Sequence, residues 1–267
     1  MNTYLFDIDG VLTNLRTPEV IQPKIFTILI SFLKKGIPLG FISGRGMWWL
    51  RTEFIKKMES YVAVHQLDKN ILDLLYVSGE FGVVKALHIN GERIETMDEK
   101  FIIPQKVREK LTSYAERFKD IVFVEEKQTV FTLRSNFDIK EEILKKHKQD
   151  IITGLEKILQ DYPEIEVLSD KIAINIRYKK ANKTLATDNF ISWLNEKGFY
   201  PEKYFVFGDS QTDLEMGLEL QKQKLSFEFI YVGDLEELDA SKDTFPVIAT
   251  SNHGDEGTIE YLSAHLQ

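Results

Sequence analysis

The chain has 267 residues, of which 43% are hydrophobic and 28% charged, a composition typical of a folded protein with enough residues for two domains. Asp and Glu (42) outnumber Lys and Arg (34), so a net charge of −8 offers no general basic surface and we expect no nucleic-acid partner. The sequence contains no cysteine, which excludes disulfides, thiolate metal sites and a cysteine nucleophile.

Short, continuously apolar runs alternate with helix-like segments near both ends of the chain. Such runs are typical of strands buried on both faces of a parallel sheet. The predicted strands are 4–6, 39–42, 204–207 and 229–232, and the predicted helices are 18–35, 48–59, 183–197 and 212–221. This alternation predicts a doubly wound, mostly parallel α/β fold of the Rossmann-like type, with its ligand site at the carboxyl ends of the strands.

The middle of the chain has an antiparallel pattern. Asn90-Gly91 predicts a hairpin turn between short extended segments. Two further extended pairs, 121–126 with 129–134 and 165–168 with 172–176, are separated by the helix-like stretches 104–119 and 138–162. We therefore predict a catalytic core formed by 1–82 and 178–267, with an inserted α+β domain at 83–177 whose sheet is covered on one face by two helices.

Neither a signal peptide nor a membrane span is expected. An acidic residue, Asp7, occurs before any apolar stretch long enough for a signal peptide. The most apolar later window, 25–33, is about half the length needed to cross a bilayer. We expect a cytoplasmic location and no membrane partner.

Polar side chains follow three of the predicted core strands. Asp7 and Asp9 follow the first, Ser43 the second, and Asp209 and Asp213 a later one. The carboxyl ends of parallel strands lie at one edge of the sheet, so these residues can meet there. An isolated Asp-x-Asp is commonly part of a turn, and a serine is commonly a helix cap. The prediction of a shared site therefore depends on finding such residues at the ends of all three strands.

These segments resemble the four motifs of the haloacid dehalogenase superfamily of phosphotransferases, in the family's order. Many relatives have glycine after the lysine of the third motif, where this chain has Thr184. The four matching segments are Asp7-Ile8-Asp9-Gly10-Val11-Leu12-Thr13, Ile42-Ser43-Gly44-Arg45, Ala181-Asn182-Lys183-Thr184 and Gly208-Asp209-Ser210-Gln211-Thr212-Asp213.

The resemblance implies a role for each catalytic candidate. Asp7 would attack phosphorus and form an aspartyl phosphate. Asp9 would protonate the leaving alcohol and then deprotonate the hydrolytic water. Lys183 and Ser43 would bind the phosphoryl oxygens.

A Mg²⁺ cofactor is also implied, because an anionic nucleophile must approach an anionic phosphate. Its ligands would be the carboxylates of Asp7 and Asp209 and the backbone carbonyl of Asp9. Asp213 would lie behind the direct ligands or bind a metal-bound water, and it ranks below Asp209 as a direct ligand.

Other motif positions have two interpretations. Gly44 and Arg45 are candidate substrate-binding residues, although Arg45 is equally compatible with a surface position. Lys183 begins a predicted helix, where solvated lysines are common. Lys179 and Lys180 are nearby alternatives for the lysine of the third motif. One helix and one strand separate Lys183 from the fourth motif, which is the family spacing and favours Lys183.

The insert resembles the type C2B cap of the superfamily, found in sugar phosphatases and phosphomannomutases, and this implies a lid that determines specificity. Its Val124-Glu125-Glu126-Lys127 segment is similar to that of trehalose-phosphate phosphatases. We take Glu125, Lys127 and Arg134 as candidate sugar-binding residues, with a solvated strand face as the alternative. Those enzymes usually have glycine and a carboxylate where this chain has Gln128 and Asn175.

The sequence thus predicts a Mg²⁺-dependent phosphoric monoester hydrolase that acts on a sugar phosphate or a similar small phosphorylated metabolite. A phosphomutase of the phosphomannomutase type would use the same two aspartates, Asp7 and Asp9. A non-catalytic phosphosugar-binding protein is the alternative from another functional class, although such a protein would not need both Asp7 and Asp9. The substrate and the oligomeric state stay open.

Overall fold

A computed structural model describes residues 1–13, 20–136, 139, 141–169, 173–239 and 245–265. The chain divides into two compact units, the first comprising Met1–Thr96 and Asn182–Gln267 and the second Met97–Ala181. Among the described residues, we find no helix with the length and apolarity that a membrane crossing requires. Some predicted ranges include residues outside the described part: the elements 18–35, 138–162 and 172–176, and the domain ranges 1–82, 83–177 and 178–267.

The strands are β1 (Asn2–Asp7), β2 (Leu39–Ile42), β3 (Leu75–Gly79), β4 (Val84–Ile89), β5 (Glu92–Met97), β6 (Val122–Glu125), β7 (Phe131–Ser135), β8 (Ile165–Ser169), β9 (Ala173–Tyr178), β10 (Lys203–Gly208), β11 (Phe227–Tyr231) and β12 (Val247–Ala249). The helices are α1 (Pro23–Lys34), α2 (Met47–Trp49), α3 (Lys56–Val64), α4 (Gln105–Ala115), α5 (Glu141–Ile158), α6 (Lys183–Glu196), α7 (Leu214–Lys222) and α8 (Gly254–His265). A π-helical segment, Leu50–Ile55, joins α2 to α3, so the predicted helix 48–59 is longer than expected at both ends.

The first unit contains an eight-stranded sheet in the order β12-β11-β10-β1-β2-β3-β4-β5. Its strands from β12 to β3 are parallel, and β4 runs antiparallel to β3. Helices lie on both faces: Phe190 of α6 belongs to the apolar core on one side, and Phe54 packs on Phe41 of β2 on the other. The predicted doubly wound, mostly parallel α/β fold is confirmed.

The hairpin of β4 and β5 extends this sheet. Its turn residues Asn90 and Gly91 both have positive φ, 55° and 73°, as a two-residue hairpin turn requires. Both turn N–H groups donate to the carboxylate of Asp73, at 2.9 and 2.8 Å. Because β4 pairs with β3, the hairpin lies in the first unit, and the second unit spans 97–181 instead of the predicted 83–177.

The second unit has a four-stranded antiparallel sheet in the order β6-β7-β9-β8. Leu111 of α4 and Leu155 of α5 pack with Leu133 and Ile174 of the sheet in one buried core. Side chains alternate along β7, so Thr132 and Arg134 lie on the face opposite to the core residue Leu133.

Candidate active site

Three neighbouring parallel strands end beside one another at one edge of the first sheet. Asp7 is the last residue of β1, Ser43 follows β2, and Asp209 follows β10. Since β1 lies between β10 and β2, the sheet brings these three side chains to the same edge.

The turn after β1 depends on a glycine. The carbonyl of Ile8 accepts the N–H groups of Leu12 (2.9 Å) and Thr13 (3.1 Å), and Gly10 has a φ of +68°. A Cβ atom at Gly10 would lie 1.9 Å from Oδ2 of Asp209. Glycine is therefore required both for the backbone conformation and for the close approach of Asp209.

We expect Gly10→Ala to displace Asp209 and to lower catalytic activity by about 10²-fold, since misplacement of about 1 Å at a catalytic site has an effect of this size. Steady-state hydrolysis and circular dichroism would measure the loss of activity and the retention of the fold. Gly36→Ala is the matched control: Gly36 also has a positive φ, +75°, but no atom lies within 4 Å of its added Cβ. Equal losses of activity in both variants would contradict a role specific to Gly10.

Lys183 links two carboxylates inside the site. Its Nζ donates to Oδ1 of Asp7 at 2.7 Å and to Oδ1 of Asp213. Asn182 caps α6 by accepting the N–H of Leu185 at 2.9 Å, which fixes the helix start that carries the lysine. Only 7% of Lys183 is exposed, so the alternative of a solvated surface lysine is wrong.

Asp213 holds the loop after β10. Its Oδ2 accepts the backbone N–H groups of Asp209 and Ser210, both at 2.9 Å, and the hydroxyl of Ser210 at 2.8 Å. Burial opposes the negative charge of Asp213, but Lys183 and these donors hold its pKa below the usual range. This aspartate is therefore ionised and fully hydrogen-bonded.

Carboxylate oxygens of Asp7, Asp209 and Asp213 lie within 4.8 Å of one another. Burial, which outweighs the attraction of Lys183, raises the pKa of Asp7 to about 8. Burial and repulsion from Asp213 and Asp7 raise the pKa of Asp209 to about 9. Attraction to Asp213 and Asp7 raises the pKa of Lys183 despite its burial, so the lysine stays charged.

One lysine faces three carboxyl groups, and these hard oxygen ligands, whose charged form a cation would stabilise, fit a divalent cation. The cluster contains the predicted ligands Asp7, Asp209 and Asp213. The side chain of Asp9, the remaining residue of the predicted metal site, is directed elsewhere.

The carboxylate of Asp9 contacts residues of the loop after β2. Its Oδ1 accepts a hydrogen bond from Nε of Arg45 at 2.6 Å, and its Oδ2 accepts one from Oγ of Ser43 at 3.3 Å. Arg45 is only 6% exposed and stacks on Trp49, so its predicted surface alternative is wrong. Ser43 lies between Asp9 and the backbone N–H of Arg45, which donates to its hydroxyl at 3.1 Å.

The segment after β3 supports this loop, and sequence patterns did not point to it. The N–H groups of Glu80 and Phe81 donate to the carbonyls of Arg45 (3.0 Å) and Ser43 (3.1 Å). Glu80 and Phe81 have positive φ values of 50° and 60°, a strained conformation for residues other than glycine. A Cβ atom at Gly44 would lie 2.7 Å from the ring of Phe81, so Gly44 is required for this packing.

The three candidate sugar-binding residues form a charged cluster in the second unit. Oε2 of Glu125 lies 3.6 Å from Nζ of Lys127 and 3.8 Å from Nη1 of Arg134. The side chain of Lys127 is only 5% exposed, so this is not a simply solvated strand face. On the same face, Oγ1 of Thr132 donates to Oδ1 of Asn175 at 2.8 Å.

A family model described as trehalose-phosphatase matches residues 62–251, which is more than half of the chain. The chain belongs to the trehalose-phosphatase family. The matched range includes Lys183, Asp209 and Asp213 and begins after the first two motifs. No curated protein matches this chain by sequence comparison.

Solved structures of trehalose-6-phosphate phosphatases have the same fold as this trehalose-phosphatase family member. The C-terminal domain of the C. albicans enzyme is 17% identical with a TM-score of 0.73, and the match covers 99% of this chain and 92% of that one. The Aspergillus fumigatus enzyme is 20% identical with a TM-score of 0.57 and the same coverage. The sucrose-phosphatase of Synechocystis sp. PCC6803 is 13% identical with a TM-score of 0.57, covering 99% and 97%.

Membership of the trehalose-phosphatase family confirms the resemblance to the haloacid dehalogenase superfamily. The chain is a phosphoric monoester hydrolase of the sugar-phosphatase type, as the motifs predict. Its substrate class is a small phosphorylated sugar.

Proposed function

We propose that this protein hydrolyses a sugar phosphate, with trehalose 6-phosphate as the first candidate substrate, in a Mg²⁺-dependent reaction in the cytoplasm. The observation that carries this proposal is the buried contact of Lys183 with Asp7 and Asp213, beside Asp209, at the carboxyl ends of β1 and β10. This arrangement combines a nucleophile with a group that binds phosphoryl oxygens and a cation-binding set of carboxylates.

Asp7 is the proposed nucleophile. Lys183 already binds its Oδ1, so Oδ2 is the oxygen available for attack on phosphorus. As the bond from Oδ2 to phosphorus forms, the bond from phosphorus to the sugar oxygen breaks, and Asp9 gives that oxygen a proton. Asp9 then takes a proton from water, whose oxygen attacks phosphorus and releases Asp7 and inorganic phosphate.

Asp7 and Asp209, with the backbone carbonyl of Asp9, are the proposed ligands of Mg²⁺. Both oxygens of Asp213 already accept hydrogen bonds, so we assign Asp213 chiefly to holding Lys183 and the backbone of Asp209. When bound, Mg²⁺ would neutralise charge on the nucleophile and on the phosphoryl group. Ser43 is positioned by its contact with Asp9 and is proposed to donate to a phosphoryl oxygen.

The second unit is the proposed specificity domain. Glu125 lies directly opposite Thr132 on the neighbouring strand, and Arg134 lies on the same face as Thr132, away from the core residues of that sheet. Glu125, Lys127 and Arg134 therefore present charged donors and acceptors together, and we propose that they bind sugar hydroxyls. Asn175, whose Oδ1 accepts the hydroxyl of Thr132, is a neutral residue at the position where trehalose-phosphate phosphatases usually have a carboxylate.

We expect Glu125→Ala and Lys127→Ala each to raise KM for the sugar phosphate by about tenfold, because each removes hydrogen bonds from a charged group. The rate with p-nitrophenyl phosphate, which has no sugar, should stay unchanged. Glu109→Ala is the matched control, because Glu109 lies on α4 and bonds to Gln105 at 3.1 Å. An unchanged KM in both cap variants would refute their sugar-binding role.

The proposal is tested by phosphate release from trehalose 6-phosphate, sucrose 6-phosphate and glucose 6-phosphate, each with Mg²⁺ and with EDTA. We expect metal-dependent release from at least one of them. A folded protein that releases phosphate from none of these compounds, even at high concentration with Mg²⁺, would contradict the proposed function.

A further inference from the structure

Two guanidinium nitrogens of Arg45 contact the same carboxylate oxygen of Asp9. Its Nε donates to Oδ1 at 2.6 Å, and its Nη2 lies 2.5 Å from the same oxygen. The second oxygen of Asp9, Oδ2, has a longer contact of 3.3 Å with the hydroxyl of Ser43. The two oxygens of this carboxylate are therefore not equivalent.

The guanidinium of Arg45 is itself held in place. Its Cζ lies 3.8 Å from the centre of the Trp49 ring, a stacking arrangement that suits a planar cation. Its backbone N–H donates to Ser43, and its carbonyl accepts the N–H of Glu80 at 3.0 Å. Arg45 is thus a rigid support, and the side chain of Asp9, which is 46% exposed, rests on it.

We propose that Arg45 is a positioning residue for Asp9. It holds Oδ1, so that Oδ2 is the oxygen that exchanges a proton with the sugar oxygen and then with water. In the first step the bond from Oδ2 of Asp7 to phosphorus forms as the bond between phosphorus and the sugar oxygen breaks, and the proton on Oδ2 of Asp9 moves to that sugar oxygen. The carboxylate left on Asp9 then faces the guanidinium of Arg45.

This inference rests on the proposed function, in which Asp9 is the acid and base. It differs from the role expected from the sequence, where Arg45 would bind the phosphate group of the substrate. The two roles give opposite results with substrates that differ in their leaving groups. A nitrophenolate leaves readily without a proton, whereas a sugar alkoxide needs one.

The experiment compares Arg45→Gln with the unaltered protein on p-nitrophenyl phosphate and on trehalose 6-phosphate, or on whichever panel sugar phosphate is hydrolysed fastest. We expect kcat for the sugar phosphate to fall by about 10- to 10²-fold, part of the contribution that proton transfer makes. For p-nitrophenyl phosphate the pre-steady-state burst of nitrophenolate, which reports the first step alone, should change in rate by less than about threefold, and inhibition by inorganic phosphate should be unchanged. Arg45→Lys should recover part of the lost kcat for the sugar phosphate, because lysine restores the positive charge but not the planar guanidinium group.

Arg51→Gln is the matched control. Arg51 lies on the π-helical segment Leu50–Ile55, which follows the loop of Arg45, and two of its guanidinium nitrogens donate to the carboxylate of Glu95 at 2.9 and 2.6 Å. This variant should leave both substrates unaffected. Retained hydrolysis of p-nitrophenyl phosphate would also show that Arg45→Gln is folded, and Arg45→Lys provides the same comparison if it is not.

Two results would overturn the positioning role. Equal losses in the first step on both substrates, with weaker inhibition by inorganic phosphate, would mean that Arg45 binds the phosphoryl group. Unchanged rates on both substrates would mean that it has no part in the reaction. A failure of the proposed function is distinct, since the unaltered protein would then release phosphate from neither substrate.

Discussion

We expect Asp7→Asn to lower phosphate release by about 10⁴-fold or more, the size of effect seen when a catalytic nucleophile is removed. The amide of asparagine cannot form the acyl phosphate, although its oxygen can still accept the hydrogen bond that Lys183 donates to Asp7. The measurement is single-turnover and steady-state release of phosphate, with Mg²⁺ present.

The same variant should be more resistant to heat than the unaltered protein in buffer without metal. It removes a carboxyl group whose pKa burial raises to about 8, so that folding at neutral pH no longer requires this group to take up a proton or to bury its charge. Addition of Mg²⁺ should stabilise the unaltered protein more than Asp7→Asn, because the variant has lost a ligand.

Asp188→Asn is the control for both measurements. Asp188 lies on α6 and accepts a hydrogen bond from the side chain of Gln223 at 2.9 Å, outside the carboxylate cluster. It should change neither activity nor the response to Mg²⁺. If Asp7→Asn retained activity within tenfold of the unaltered protein, Asp7 would not be the nucleophile.

We expect Lys183→Met to reduce both activity and stability. Loss of a cation that stabilises phosphoryl charge typically lowers kcat by about 10²- to 10³-fold. The variant also leaves Asp7 and Asp213 buried without their cation, which typically costs about 3–5 kcal/mol of unfolding free energy. Urea unfolding without Mg²⁺ measures the second effect separately from the first.

A double variant separates the ion pair from other effects of the lysine. Asp213→Asn added to Lys183→Met should restore part of the lost stability, because it removes one of the uncompensated carboxylates. Lys57→Met is the control, since Lys57 pairs with Glu53 at 2.9 Å and both side chains are partly exposed, and it should have little effect. A loss of stability as large in Lys57→Met would show that the burial of Lys183 has no special energetic role.

The sequence was most informative about the core sheet and the motif residues at its edge. Continuously apolar strands that end in a polar residue can be recognised from local sequence alone. In a parallel sheet the carboxyl ends of these strands lie at one edge, so the polar residues are brought together. Asp7 and Asp209 could therefore be predicted as neighbours although they lie 202 positions apart in the sequence.

Pairing between distant elements was harder to predict. The β4–β5 hairpin was recognisable from Asn90-Gly91, but no local pattern showed that β4 would pair with β3 and belong to the core sheet. The contact between Arg45 and Asp9 likewise depends on two loops meeting, and on Trp49 fixing the guanidinium. Lys127 is buried by its tertiary surroundings, which a charged strand sequence does not reveal.

The position of β1 between β2 and β10 affects the order in which the protein can fold. One neighbour, β2, lies close in the sequence, but β10 follows only after the whole second unit. Pairing across so long a loop is slow, because the chain must be closed before the contacts form. On the ribosome, Asp7 therefore lacks Lys183 and Asp213 until most of the chain has been synthesised, and a chain that ends before Lys183 would lack part of the proposed site.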